Sequence, residues 1–149
     1  MKIKLAAFFM LFISTYAFSE TNDENVITYG YLSLESAILN SIKDPSIPID
    51  TSGLIVLLGD IDTDNSRQLL GRLTNYYLGS ATTEALAYSI AKQGQKILGQ
   101  LKEKIKNPDS CVVQQHQSTY RCLTLEERNR LIKKYIKLIE SGQTIDYVI

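Results

Sequence analysis

The chain has 149 residues, enough for one hydrophobic core and too few for two that would each stand alone. Hydrophobic residues make up 44% and charged residues 21%, a globular composition that excludes both a disordered chain and a bilayer-embedded one. The formal net charge is +0 and no dense basic run occurs, so general nucleic-acid binding has no electrostatic support.

Met1 to Ser19 reads as a secretory signal peptide. Lys2 and Lys4 give a positive start, Leu5 to Ile13 an unbroken apolar run, and Ala17 and Ser19 the small residues that suit cleavage before Glu20. The run is too short to cross a bilayer, which takes roughly 20 residues, and no cysteine stands near the cleavage point to carry a lipid. The expectation is an exported, soluble bacterial periplasmic protein with no membrane span after cleavage. A eukaryotic secreted protein is the alternative. Residues 20–149 are then a single all-helical domain, mildly acidic once Lys2 and Lys4 are removed.

In chain order, Ile27, Tyr31, Leu34, Ile38 and Ile42 follow three-four spacing and predict a first amphipathic helix, ended by Asp44-Pro45-Ser46-Ile47-Pro48. Leu54 to Leu58 are apolar on every side, which predicts a helix buried all round, with Thr51 or Ser52 as its cap and Gly59 as a left-handed stop. Asp62, Thr63 and Asp64 can each cap the next helix, whose apolar face is Leu69, Leu70, Leu73, Tyr76 and Tyr77 and whose end is Gly79. Ser80 to Glu84 resembles a capping box ahead of another helix, where Ala81, Ala85, Ala87 and Ala91 allow close approach to a neighbour. Gly94 bends or breaks that helix, and Ile97, Leu98, Leu101 and Ile105 carry a further one as far as Asn107-Pro108. Lys102, Glu103, Lys104 and Lys106 read as a solvated face near its C-terminal end.

Thr124 and Glu127 form a capping box opening the last helix. Leu125, Leu131, Ile132, Tyr135, Ile136, Leu138 and Ile139 make one broad face; Arg128, Arg130, Lys133, Lys134 and Lys137 make the other. The tail Thr144 to Ile149 is apolar for a free end and is expected to dock on the body or on a partner. Strands are almost absent from the pattern; Cys111-Val112-Val113 and Thr119 to Cys122 offer a short hairpin at best. The fold class is therefore all-α, a compact helical bundle or short stack of about five to six helices with one disulfide-closed loop.

The disulfide follows from Cys111 and Cys122, an even pair flanking the polar loop Gln114 to Ser118 in an oxidising compartment. Closing so short a loop stabilises a fold by about 2 to 3 kcal/mol in the chain-entropy account. With His116 the cysteines make only three candidate metal ligands, and a redox role lacks the Cys-x-x-Cys spacing. His116 as a general base has no nucleophile motif such as Gly-x-Ser-x-Gly beside it, so a contact histidine is the simpler reading. Asp60, Asp62 and Asp64 resemble the start of a calcium loop but lack its glycine and closing glutamate. No phosphate loop, zinc motif or dinucleotide fingerprint occurs, and neither cofactor nor metal is expected.

The central segment Leu57-Leu58-Gly59-Asp60, followed by Leu69-Leu70, Leu73 and Tyr76-Tyr77-Leu78-Gly79, resembles the helix-turn-helix unit of HEAT-like repeats. It also resembles bacterial polymorphic-toxin immunity proteins of the immunity protein fifty-seven family, small exported chains with a late cysteine pair. That resemblance implies an all-helical protein, not an enzyme, whose partner is a cognate protein toxin that it neutralises by steric occlusion. Candidate contact residues are the acidic turn Asp60, Asp62 and Asp64, which would steer a basic toxin, one of Tyr76 and Tyr77 as an anchor, and His116. The competing expectations are a periplasmic hydrolase using the Asp60 to Asp64 carboxylates, and an envelope adaptor docking through its apolar tail.

Overall fold

A computed structural model describes residues 33–44, 46, 48–111, 120–143 and 145. Helix α1 covers 33–43, followed by α2 (Thr51–Asp60), α3 (Asp64–Leu73), strand β1 (Tyr76–Tyr77) and α4 (Ser80–Gln93). A 3-10 turn (Gly94–Ile97) leads into α5 (Leu98–Lys106), and strand β2 (Arg121–Cys122) precedes α6 (Leu125–Glu140). The architecture is an all-α bundle with one antiparallel two-stranded ribbon, Tyr76 opposite Cys122 and Tyr77 opposite Arg121. The chain divides after Ser33, and the core lies in the unit from Leu34 onward. There Ile38, Ile42, Ile55, Leu58, Leu69, Leu70 and Leu73 are buried, as are Leu86, Ile90, Ile97, Leu101, Ile132 and Tyr135.

The helix α2 departs from its expected environment. Ile55 and Leu58 are buried, but Leu57 is 55% exposed, so one face and not the whole circumference is covered. Its N-terminal cap is Asp50, whose carboxylate accepts from Gly53 N at 3.0 Å, and not Thr51 or Ser52. Gly59 does not stop the helix in a left-handed turn, because α2 runs on to Asp60. The glycine is there for space: a Cβ at Gly59 would stand 2.6 Å from Ser89 Cβ on α4. Close approach is made by Gly59, Ser89 and the Ser52–Thr82 hydroxyl pair at 2.9 Å, with Ser89 Oγ donating to Ile55 O at 2.8 Å. Of the alanines expected to serve that purpose, only Ala85 is fully buried.

Helix α3 ends at Leu73, six residues before the expected glycine. Thr74 Oγ1 donates to Gly71 O at 2.6 Å and Asn75 Nδ2 to Arg72 O at 2.9 Å, so both side chains tie up carbonyls of the last turn and release the chain. Tyr76 and Tyr77 then take the extended form aromatic residues favour. Gly79, at φ 78, is the N-cap of α4 with no side-chain cap bond, so the expected Ser80 capping box is absent. Gly94, at φ 56, does terminate α4 as expected.

On α6 the capping box is present: Thr124 Oγ1 accepts from Glu127 N at 3.2 Å and Thr124 N donates to Glu127 Oε2 at 2.9 Å. The buried line is Arg128, Ile132, Tyr135 and Ile139, rising in steps of four, three and four. Arg128, expected on the polar face, is thus 4% exposed and in register with the core, while Leu125, expected inside, is 60% exposed. Arg128 Nη2 donates to Asn129 Oδ1 at 3.0 Å, and its Nε and the Tyr135 hydroxyl are buried with no hydrogen-bond partner among the described residues. Burial pushes the Tyr135 phenol well above its ordinary range.

Candidate functional site

The turn between α2 and α3 carries the three candidate aspartates, and the fold places a cation against each. Asp60 is paired with Lys92 and Asp62 with Lys96, both reaching across from α4 and the 3-10 turn. Arg67 Nη1 donates to Asp62 at 2.5 Å and Nη2 to Asp64 at 2.6 Å. Helix capping falls to Thr63, whose hydroxyl accepts from Ser66 N at 3.2 Å while Ser66 Oγ accepts from Thr63 N at 3.3 Å. Asp62 and Asp64 do not cap; they hold Arg67.

Arg67 is nearly buried, and its Nη1 also donates to Gln93 Oε1 at 3.2 Å. Gln93 Nε2 in turn donates to Gly59 O at 2.8 Å and Ile61 O at 3.2 Å, satisfying carbonyls at the end of α2 that have no helical partner. The hydrogen bonds from Lys96 and then Arg67 hold the Asp62 carboxyl below the usual carboxylate range, and the Asp64 carboxylate raises the Arg67 guanidinium. A hydrolytic general acid needs the opposite shift, upward toward neutrality. Three carboxylates facing three cations leave no net field to steer a basic partner.

The second candidate region joins β1, β2 and the start of α6. The disulfide between Cys111 and Cys122 is formed, with Cα atoms 5.8 Å apart across a separation of 11 residues. It ties β2 to the segment after α5, where Asp109 pairs with Lys104 at 2.5 Å and accepts from Asn75 Nδ2 at 3.4 Å. Leu123 N donates to Asn75 O at 2.9 Å, extending the ribbon. The tyrosines alternate across the ribbon: Tyr76 is half-buried and Tyr77 is 41% exposed. The Arg121 guanidinium lies 5.3 Å from the Tyr77 ring centre, a cation–π distance, and grips Glu127 through two bonds of 2.8 Å. Arg121, and after it the backbone bond from Thr124, holds the Glu127 carboxyl down to about 2.

Leu125 continues this exposed surface from the first turn of α6. The sequence pointed to one tyrosine as exposed, but the cross-strand arginine carried no local signal. It becomes visible only when Tyr77 and Arg121, 44 positions apart, are paired.

One hollow of about 470 Å³ is lined by Tyr88, Ala91, Lys92, Gly94, Gln95 and Ile139 among others, and no carboxylate is among its described lining residues. A smaller one of about 190 Å³ lies over Asp60, Asp62, Lys92, Gln93 and Lys96, where the charges are already paired. Among the described residues no group of three or more His, Cys, Asp or Glu side chains could hold a metal ion. Among them, too, no helix is long and apolar enough to cross a membrane. His116 and the tail residues 144 and 146–149 lie outside the described residues, as does most of the suggested hairpin; Arg121 and Cys122 pair instead with Tyr76 and Tyr77. No family model, curated protein or solved structure matches this chain.

Proposed function

We propose that the mature protein works in the bacterial periplasm as an immunity protein that binds a cognate antibacterial toxin and blocks it by occlusion. The observation that carries this reading is the exposed Tyr77–Arg121 stack, clamped by Glu127 and by the Cys111–Cys122 bridge. Tyrosine and arginine are the residue types on which protein-binding energy concentrates, and a contact already fixed in the free protein loses little entropy on association. The signal-peptide pattern of Met1 to Ser19 and a disulfide that persists under oxidising conditions both agree with export.

The test is to express the protein with its leader beside the product of the neighbouring gene and to score survival of the cell. The wild type should protect and co-purify with that product from the periplasm. Tyr77→Ala should weaken binding about 10- to 100-fold, the loss expected of a truncated aromatic anchor. Protection by a leaderless form confined to the cytosol, or hydrolysis of peptidoglycan or a phosphoester by the purified protein alone, would sink the proposal.

A further inference from the structure

Helix α6 turns its apolar line inward, and its outer face carries Arg130, Lys133, Lys134 and Lys137, all exposed. Their spacing places like charges at i+3 and i+4 in four pairings, an arrangement that weakens a helix through repulsion. Only Lys137 lies in the last turn, where the helix dipole favours a cation. Arg130 reaches Glu126 at 2.9 Å, but among the described residues Lys133, Lys134 and Lys137 have no ion-pair partner. By contrast Lys92, Lys96, Lys102 and Lys104 each face a carboxylate. Positions 127, 130, 134 and 137 follow one line along the helix, so the cations extend from the Arg121–Glu127 clamp for about 15 Å at 1.5 Å per residue.

We infer that the outer face of α6, Lys133, Lys134 and Lys137 with Arg130, is a docking and steering surface for an acidic face of a protein partner. This rests on the binding role proposed above and reverses the charge expected of that partner. Charge complementarity points to that partner: the carboxylates of the α2–α3 turn are neutralised by Lys92, Lys96 and Arg67, while among the described residues these lysines have no such counter-charge. A lipid surface fits less well, because Ile132, Tyr135 and Ile139 are committed to the core and Leu125 is the one large apolar side chain of α6 that is exposed, too little to bury in a bilayer. A stripe this short spans few phosphates of a nucleic acid.

The test uses the full mature chain with its disulfide intact and the triple variant Lys133→Gln/Lys134→Gln/Lys137→Gln, whose thermal midpoint, equal to or above that of the wild type, certifies the fold. Association with the neighbouring gene's product should slow about 10- to 100-fold in the variant, with a flatter dependence on salt and a nearly constant dissociation rate. Equal association of variant and wild type would overturn the inference and leave the immunity role standing. If the wild type does not bind that product, the immunity role falls and a poly-glutamate titration followed by amide shifts decides the surface. Shifts along 130–137 that vanish in the variant support it; shifts elsewhere, or none, overturn it. Tighter binding to vesicles of equal parts phosphatidylglycerol and phosphatidylethanolamine, or to duplex DNA, than to poly-glutamate would also overturn the assignment to protein.

Discussion

The α2–α3 turn and the outer face of α6 are both charge clusters, and the fold treats them in opposite ways. The turn gathers Asp60, Asp62 and Asp64 within five residues, then answers them with Lys92, Lys96 and Arg67. Arg67 and Gln93 lie beneath, so the charges there belong to a network that shapes the turn. On α6, Lys133, Lys134 and Lys137 are exposed and have no ion-pair partner among the described residues. The lesson is electrostatic: a run of like charges specifies a surface potential only after its opposite neighbours are known. Four changes separate a structural cluster from an available one.

The largest effect is expected at the ribbon that anchors α6. Cys111→Ala/Cys122→Ala should cost about 2 to 3 kcal/mol in urea unfolding, because the unfolded chain regains its loop entropy. A smaller loss follows at the turn. Arg67→Ala strips one side chain from two carboxylates and from Gln93, and should cost about 1 to 3 kcal/mol by the same measurement, the lower half reflecting the exposure of both aspartates. If Arg67→Ala proved neutral, the turn would be no more structural than the α6 face.

Glu127 supplies a pH signature. Its carboxyl is lowered from 4.5 to about 2, so the stability it contributes is complete above pH 4.5 and disappears as pH falls through 2. The thermal midpoint should therefore decline across that window less steeply in Glu127→Gln than in the wild type. The smallest effect is on α6: Lys133→Gln or Lys134→Gln should shift unfolding by about 0.5 kcal/mol or less, with any change toward stability as repulsion is relieved. A loss above about 1 kcal/mol would show that these lysines support the fold, placing them with Arg67.

Much of the helical plan was legible locally. Ile38 and Ile42, the break at Gly94 and the Thr124–Glu127 box were all visible because period and capping depend on residues a few positions apart. The α3 cap was half visible: Thr63 was one of three candidates, and serine at its third position is not the glutamate or glutamine that usually completes such a box. Of the candidate site, the cysteine pair could be inferred from compartment and count, and the tyrosines from their chemistry. The partners of the aspartates could not, since Lys92 and Lys96 sit 32 and 34 positions away.

By itself, the sequence determined an all-helical chain with one disulfide, because amphipathic period, glycine and proline breaks and an even cysteine pair act through local geometry and chain entropy. Tertiary structure alone decided that Gly59 serves packing, that Tyr77 meets Arg121, that Arg128 turns inward, and that the acidic turn is neutral while α6 stays cationic. Those outcomes depend on which distant side chains come within a few ångströms, where steric contact and Coulomb attraction act, and no local window of sequence contains that distance.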